Sequence, residues 1–510
     1  MTEPLPISSK AGYALELTVF ACGALVMIYE IIGSRIVSPF IGTSTYVWTS
    51  LIGVILAALS LGYWLGGRLA DRRPDIRILA SVIFLAGGGV SVTILFKDIV
   101  LSFIAAGNVG LEIKSVIAAI LLFAPASILL GFVTPFAVKL KTLSLDDTGK
   151  MVGRIYALST IGSIVGTFAA GFILIPFAGS TRTLYLIAGT LFFLSLLLAP
   201  FAISRANTAI ITIFAFGIGA NELSALYLRQ STGLHDIDTE YSRVQVFQTV
   251  EPKSGRKIQV LKIDPFFVQS AVYLDGNEIV FDYIRYYHLV KHFKPDHTRS
   301  LMIGGAGYTF PRDFLAKYGE SRIDVVEIDP KMTDIATRFF RLESDPRMTI
   351  VHQDGRVFLN HADSEKYDAV FMDAFGSLFS VPYQLTTVEA VRHISRILKD
   401  DGVVIFNLGS AITGEGSRFL QAEFATYKAI FPNVYLFKVN SDYTDESLQN
   451  LVIVASKSTD KISLNNSDPD LAHLLSHIYS KEIPAGLPIL TDDLAPVEHY
   501  NSIAQNLTNQ

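Results

Sequence analysis

The 510-residue chain is 50% hydrophobic, only 17% charged and carries a net charge of −5, with a mean hydropathy of +0.40. It is too apolar for an ordinary soluble enzyme and offers no basic face for nucleic acid. Its one cysteine, Cys22, excludes an intrachain disulfide and a cysteine zinc site, and no metal centre is expected.

The opening MTEPLPISSK lacks the basic start and small-residue cleavage site of a removable signal, so the first apolar run reads as a retained span. Runs near 13–32, 47–65, 78–96, 116–138, 153–177, 184–203 and 208–223 each approach the roughly 20 residues that cross a bilayer's hydrocarbon core. The last is the shortest, and either spans or lies partly in the interface. In GSIVGTFAAG, Gly162, Gly166 and Gly171 recur at about one helical turn, a composition for close packing of helix backbones. Glu16 and Glu30 of the first run, with Arg35 soon after, lie either at the headgroups or against a polar cavity.

Basic residues set the orientation. GGRLADRRPDIR holds Arg68, Arg72, Arg73 and Arg77, which assigns the loop after the second run to the cytoplasm, and Lys139, Lys141, Lys150 and Arg154 agree. Seven full crossings would then place the C-terminal part outside, where nucleosides are scarce. A cytoplasmic C-terminal part, favoured by substrate supply, requires that the seventh run not cross or that another run, such as 99–106, does.

From about Asn221 charges become frequent. YSRVQVFQTV, KIQVLKI and QSAVYLDG are β-rich pieces separated by turn residues, which predicts a small antiparallel sheet. After Tyr283, strand–helix alternation predicts a parallel α/β sheet. The expected architecture is a multi-pass α-helical membrane domain (1–223), a small β-rich subdomain (224–282) and a Rossmann-like α/β domain (283–510) of the class I S-adenosylmethionine type.

SLMIGGAG reads as a buried strand running into a glycine turn, where Gly304, Gly305 and Gly307 let the backbone approach a ligand. The third glycine of a dinucleotide fingerprint is replaced by Phe310. A second strand ends in VVEIDP with Glu327 and Asp329, placed to accept ribose hydroxyls. A third ends at Asp354-Gly355, placed to meet an adenine edge, and a fourth, YDAVFMDAF, ends at Asp373; DDGVVIFNL supplies a fifth after a helix at 387–398. Singly, each acid is a solvated loop residue or a helix cap; together they converge on the carboxyl edge where open α/β sheets bind ligands. No GxxxxGK[ST] cradle is present, so ATP chemistry is not expected. Acidic surroundings suit a cationic ligand, and the sulfonium of S-adenosylmethionine fits them better than NAD.

The elements VLKIDPFFVQS, RYYHLV, IGGAG, VVEIDP, HQDGRVFL and YDAVFMDAF resemble the spermidine synthase family, the polyamine aminopropyltransferases, from about Tyr241 to the end. VFACGALVMIYEIIGSRIVSPFIG, YALSTIGSIVGTFAAGFILIPFAG and LTDDLAPVEHY are similar to its membrane-fused branch. The resemblance implies that Gln269 and His288 contact the nucleoside or the aminopropyl end, that Glu327 holds the ribose, and that Asp354 and Gly355 meet the adenine. Asp373 matches the catalytic aspartate. It further implies no tightly bound cofactor, S-adenosylmethionine or its decarboxylated form as co-substrate, a polyamine partner, contact with membrane lipid, and a homodimer among the expected assemblies. Two departures stand out. Tyr308 replaces an acid after the glycines, and Gly376 replaces a second acid three residues beyond Asp373. Asp492 and Asp493 either fold back over the site or cap the final helix. Three readings follow: an aminopropyltransferase releasing methylthioadenosine; an S-adenosylmethionine lyase or methyltransferase on the same nucleoside site; or a transporter or sensor gated by a polyamine or nucleoside.

Overall fold

A computed structural model describes residues 9–42, 44–142, 148–199, 205–263, 268–374, 381–484 and 486–508. The chain divides into two compact units, Met1–Ser231 with Asp236–Arg243, and Thr232–His235 with Val244–Gln510.

The first unit is helical: α1 (Ser9–Ile41), α2 (Thr45–Arg72), α3 (Ile76–Ala106), α4 (Leu111–Leu122), α5 (Ala124–Gly131), α6 (Val133–Lys141), α7 (Thr148–Ala169, continued as a wider π-helix over Ala170–Ala178), α8 (Ser180–Leu198) and α9 (Arg205–Thr232). Among the described residues, seven helices are long and apolar enough to cross a membrane. The fourth expected run is not one straight helix. It breaks at Phe123 and Phe132, because Pro125 and Pro135 lack the N–H that would continue the ladder. The Leu122 carbonyl at the first break accepts instead from the Tyr29 hydroxyl at 2.8 Å and Thr93 Oγ1 at 2.7 Å. The seventh run is longer than expected, at 28 residues, and 99–106 is the last part of α3 rather than a separate segment.

Two of the three glycines in GSIVGTFAAG pack as expected. A Cβ on Gly162 would lie 2.0 Å from the Phe20 carbonyl oxygen, and one on Gly166 2.3 Å from that of Ala24, so α7 and α1 touch backbone to backbone. Gly171 is different: it lies in the π-helical stretch and a Cβ there meets nothing within 4 Å. Glu16 has partners, pairing with Lys141 of α6 and, at 2.9 Å, with Arg154 of α7. Glu30 is half-buried. Arg35 donates to the carbonyls of Thr239 and Glu240.

A short strand, β1 (His235–Asp238), precedes an antiparallel ladder of β2 (Arg243–Val250), β3 (Lys257–Lys262) and β4 (Ser270–Tyr273). Next come short helices α10 (Asp282–Arg285) and α11 (Val290–Phe293), joined by a 3-10 turn at Tyr286–Leu289. The alternation then runs β5 (Arg299–Ile303), α12 (Thr309–Lys317), β6 (Arg322–Glu327), α13 (Pro330–Phe339), β7 (Met348–His352), α14 (Gly355–His361), β8 (Tyr367–Met372), α15 (Val388–Ile397), β9 (Leu398–Ser410), α16 (Arg418–Lys428), β10 (Asn433–Lys438), β11 (Gln449–Ser456), α17 (Pro469–Ser476) and α18 (Val497–Thr508). The seven-stranded sheet has the order β10-β11-β9-β8-β5-β6-β7. Strands β5 to β9 pair in parallel, whereas β11 and β10 are antiparallel, an edge the alternation in the sequence did not announce. Apolar runs such as YDAVFM are buried throughout because helices cover both faces of a parallel sheet. The strand order reverses at β5, so its carboxyl end is the switch point where such sheets form a crevice.

The small-residue contact between α1 and α7 is testable. Gly162→Leu should lower the melting temperature in detergent by several degrees, since overpacking costs about 1–3 kcal/mol or more where backbone must move. Gly171→Leu should leave it unchanged. Equal effects would refute the distinction.

Candidate active site

At the end of β5 the chain enters a turn that only glycine permits at Gly304. Its φ is +96°, and a Cβ there would stand 2.4 Å from the Asp373 carbonyl oxygen. Ala306 and Tyr308 follow with φ of 43° and 53°, so the turn winds left-handed at alternate residues before α12 begins. Glu327, at the end of β6, holds this turn. Its Oε2 accepts from the N–H groups of Gly305 at 2.9 Å and Ala306 at 3.0 Å, and its Oε1 from that of Asp329 at 3.0 Å. Burial raises the Glu327 pKa, opposed by those backbone donors. An ionised carboxylate has about four lone-pair sites, so three such bonds leave acceptor capacity for a ligand hydroxyl. Gly307 N–H donates to Ser270 Oγ at 3.0 Å, which closes the other side of the turn.

Asp373 follows the last residue of β8, its N–H donating to the Ile303 carbonyl at 2.9 Å. The side chain is half-buried. The Tyr283 hydroxyl donates to Oδ2 at 3.3 Å and Asn407 Nδ2 to Oδ1 at 3.4 Å. Tyr287 stands beside them, its hydroxyl 3.4 Å from the Met372 carbonyl oxygen and its ring packed on Phe310 and Phe371. Desolvation pushes the Asp373 pKa up to about 6, against the pull of Asn407, Tyr287 and Tyr283. Burial likewise drives both tyrosine hydroxyls well above their usual range, reinforced by the Asp373 charge. A carboxyl poised near neutrality and oriented by neutral donors is suited to proton transfer.

The other expected site residues divide. Asp354 lies at the same sheet edge, where it caps α14 by accepting from Val357 N–H at 3.0 Å. A Cβ on Gly355 would meet Ile303 Cγ2 at 2.7 Å, so α14 starts hard against the end of β5. Gln269 Oε1 accepts from Ile263 N–H at 2.7 Å, bracketing the β3–β4 connection and setting Ser270 against the glycine turn. His288 is not brought to the strand ends. Its Nδ1 meets the Tyr318 hydroxyl at 3.0 Å and its Nε2 meets Asp313 Oδ2 at 2.6 Å, which ties the 3-10 turn to α12. Burial lowers its pKa, partly offset by Asp313.

Tyr308, where the resemblance led to an acid, is fully buried with its hydroxyl 2.7 Å from Thr333 Oγ1. Gly376 lies outside the described residues. Asp492 does not cap the final helix but is held beside the start of α14, next to Gly355. Its oxygens meet Arg356 Nη1 at 2.9 Å and Nη2 at 2.7 Å, and Thr387 Oγ1 donates to it at 2.6 Å. Asp493 is exposed, and α18 starts only at Val497. No group of three or more metal-ligating side chains occurs among the described residues.

Sequence reasoning missed Tyr283, Asn407 and the Arg356–Asp492 pair. Signals existed for the first two. Tyr283 and Tyr287 are one helical turn apart, and Asn407 is the one polar residue in the run GVVIFNLG.

The spermine/spermidine synthase domain pattern matches residues 284–463. A polyamine aminopropyltransferase of Vibrio vulnificus is 30% identical over 231 residues, covering 44% of this chain and 74% of that protein. Polyamine aminopropyltransferase 1 of Streptomyces coelicolor is 24% identical over 421 residues, or 78% of this chain and 76% of its own length. Among solved structures, a probable spermidine synthase from Corynebacterium glutamicum aligns with a TM-score of 0.41 and 21% identity, covering 53% of this chain and 94% of that one. The chain therefore belongs to the polyamine aminopropyltransferase family, the spermine/spermidine synthases, and is an enzyme of that class.

Proposed function

We propose that this chain is a membrane-anchored aminopropyltransferase. It moves an aminopropyl-type group from a sulfonium donor, S-adenosylmethionine or its decarboxylated form, to an amine and releases methylthioadenosine. The observation that carries this reading is Asp373, set beside the glycine turn with a pKa of about 6 and flanked by Tyr283 and Asn407. Glu327 and the turn it holds are assigned to the ribose, and Asp354 with Gly355 to the adenine. The amine lone pair attacks the carbon beside the sulfonium. The C–S electron pair returns to sulfur as a neutral thioether, and the proton shed by nitrogen passes to Asp373. Because the sulfonium is already a good leaving group, alignment supplies most of the rate. The seven long apolar helices support anchoring by a multi-pass domain. Helix α9 runs to Thr232, which moves the end of that domain beyond residue 223.

A second reading, a lyase or methyltransferase on the same nucleoside site, is favoured by Tyr308, whose buried phenol occupies the place of a charged carboxylate. Assaying methylthioadenosine against adenosylhomocysteine, with and without putrescine, separates the readings. Methylthioadenosine formed only when amine is present supports transfer.

Asp373→Asn should reduce single-turnover release of methylthioadenosine by about 10²–10⁴-fold, the contribution of a positioned general base, while nucleoside affinity measured in parallel stays near that of the unaltered protein. Unchanged turnover would remove Asp373 from the mechanism.

Titration gives a second check. The folded pKa of Asp373 is raised to about 6, so the proton stabilises the fold at low pH and that contribution is lost as pH rises through about 6. The Asn variant should melt higher than the unaltered protein at pH near 8 and equal to it near 4. The kcat/KM profile of the unaltered enzyme should show an inflection at about 6 that the variant lacks. Glu327→Gln should weaken S-adenosylmethionine or methylthioadenosine binding by about 1.5–3 kcal/mol, because an amide N–H₂ turned towards the turn's N–H groups repels them. Calorimetry showing unchanged affinity would refute the ribose assignment.

A further inference from the structure

The two ends of the helical unit differ in charge, and the chain leaves from the end opposite the arginine-rich loop. At one end Glu16 near the start of α1 joins Lys141 at the end of α6 and Arg154 at the start of α7, and Lys139 pairs with Asp71 at the end of α2 at 2.8 Å. Ser195, late in α8, donates to the Ala80 carbonyl, early in α3, at 2.7 Å, which brings the end of α8 to the same level. At the other end, the backbone N–H of Ser180, the first residue of α8, donates to Asp238 Oδ2 at 2.7 Å, and Arg35, late in α1, donates to Thr239 and Glu240 carbonyls. The segment Asp236–Arg243 thus fastens to the far end of the bundle.

Helix α9 takes the chain towards that end. Ile210 packs on Gly88 of α3, Gly217 on Ile94, and Asn221 Nδ2 donates to the Ile94 carbonyl at 3.1 Å, so α9 runs alongside α3 in the same direction. From Arg205 to Asn221 it rises about 24 Å at 1.5 Å per residue. The seventh helix, at 28 residues, is close in length to the 31-residue α3, and 99–106 continues α3, so the helices favour an odd number of crossings.

Charge bias decides which end faces the cytoplasm. The α2–α3 junction brings Arg68, Arg72, Arg73 and Arg77, and the α6–α7 junction brings Lys139, Lys141, Lys150 and Arg154. At the opposite end the connections 42–44, 107–110 and 179 contain no lysine or arginine. There Arg35 and Lys114 are engaged by backbone carbonyls and Lys97 by Asp98 at 2.7 Å, and Arg182 stands in the first turn of α8, so the bias towards the other end is one of number. Lysine and arginine near span ends are retained on the cytoplasmic side.

We infer that the Asp373 site works on the non-cytoplasmic face of the membrane. The sulfonium nucleoside and the amine it takes are those of that face, and a step that carries a cationic nucleoside across the membrane must supply the donor. The inference reverses the cytoplasmic placement expected from substrate supply, and it rests on the proposed membrane anchoring.

Single-cysteine variants of the full chain in a Cys22→Ser background test it. Asp400, whose side chain is 96% exposed, lies in the sheet-bearing unit, and Pro74 is exposed in the α2–α3 loop. A membrane-impermeant maleimide applied to intact spheroplasts should label Asp400→Cys, and should label Pro74→Cys only after permeabilisation. The reverse pattern would overturn the inference. In a parallel arm that leaves the fold unaltered, alkaline phosphatase fused after Gln510 should be active and a green fluorescent protein fused there dark; a bright, phosphatase-inactive pair would overturn it. Resistance to alkaline carbonate extraction tests the anchoring separately: release of the protein from the membrane would remove the reading on which the sidedness stands, whereas retention with reversed labelling would refute sidedness alone.

Discussion

The site in the sheet-bearing unit depends on the close approach of two strand ends. Gly304 after β5 and Asp373 after β8 pass so near that a methyl group would stand 2.4 Å from a carbonyl oxygen. A left-handed residue without a Cβ is the only solution there, and the rest of the site follows from it. The turn it starts presents the N–H groups of Gly305 and Ala306 to Glu327, and that of Gly307 to Ser270. The same approach seats Asp373 between the β5 end and Asn407 of β9, which is what desolvates its carboxyl.

Two carboxyls at one sheet edge, Glu327 buried and Asp373 half-buried, are therefore treated differently. Glu327 receives three backbone N–H groups at 2.9–3.0 Å, the kind of charge-assisted bonding that holds a turn in place. Among the described residues, Asp373 receives side-chain donors, at 3.3 and 3.4 Å. Long bonds from neutral groups do not offset its desolvation, so its pKa moves up to about 6. Burial raises the pKa of both, and backbone donors oppose it at Glu327 while side-chain donors oppose it at Asp373. The difference lies in the partners, since both residues end buried parallel strands.

Polar groups are sorted in the helical unit as well. Glu16 sits among lysine and arginine at one end, while Asp236 and Asp238 gather Arg243 and the start of α8 at the other. Between the ends, Tyr29 and Thr93 cover the carbonyl freed by the break before Pro125. The Glu16 and Asp236 carboxylates and the Leu122 carbonyl thus each find donors within the helical unit.

Much of this was legible in the sequence because it is written locally. Apolar runs announced the seven long helices, the alternation after Tyr283 announced the strands β5 to β9, and the IGGAG turn and the acids after β6, β7 and β8 stood at strand ends by register alone. A run, a period and a turn residue depend only on neighbours in the chain. What depends on packing was not legible. His288 points to Asp313 and Tyr318, a Cβ at Gly171 would meet nothing, Asp492 is held by Arg356 and Thr387, and β10 and β11 turn antiparallel. In each case the outcome was set by which element, distant in sequence, lies alongside. The sequence by itself determined which residues reach the sheet edge; the tertiary structure decided which of them face one another there, because a side chain's direction and desolvation are fixed only when its neighbours from other elements are in place.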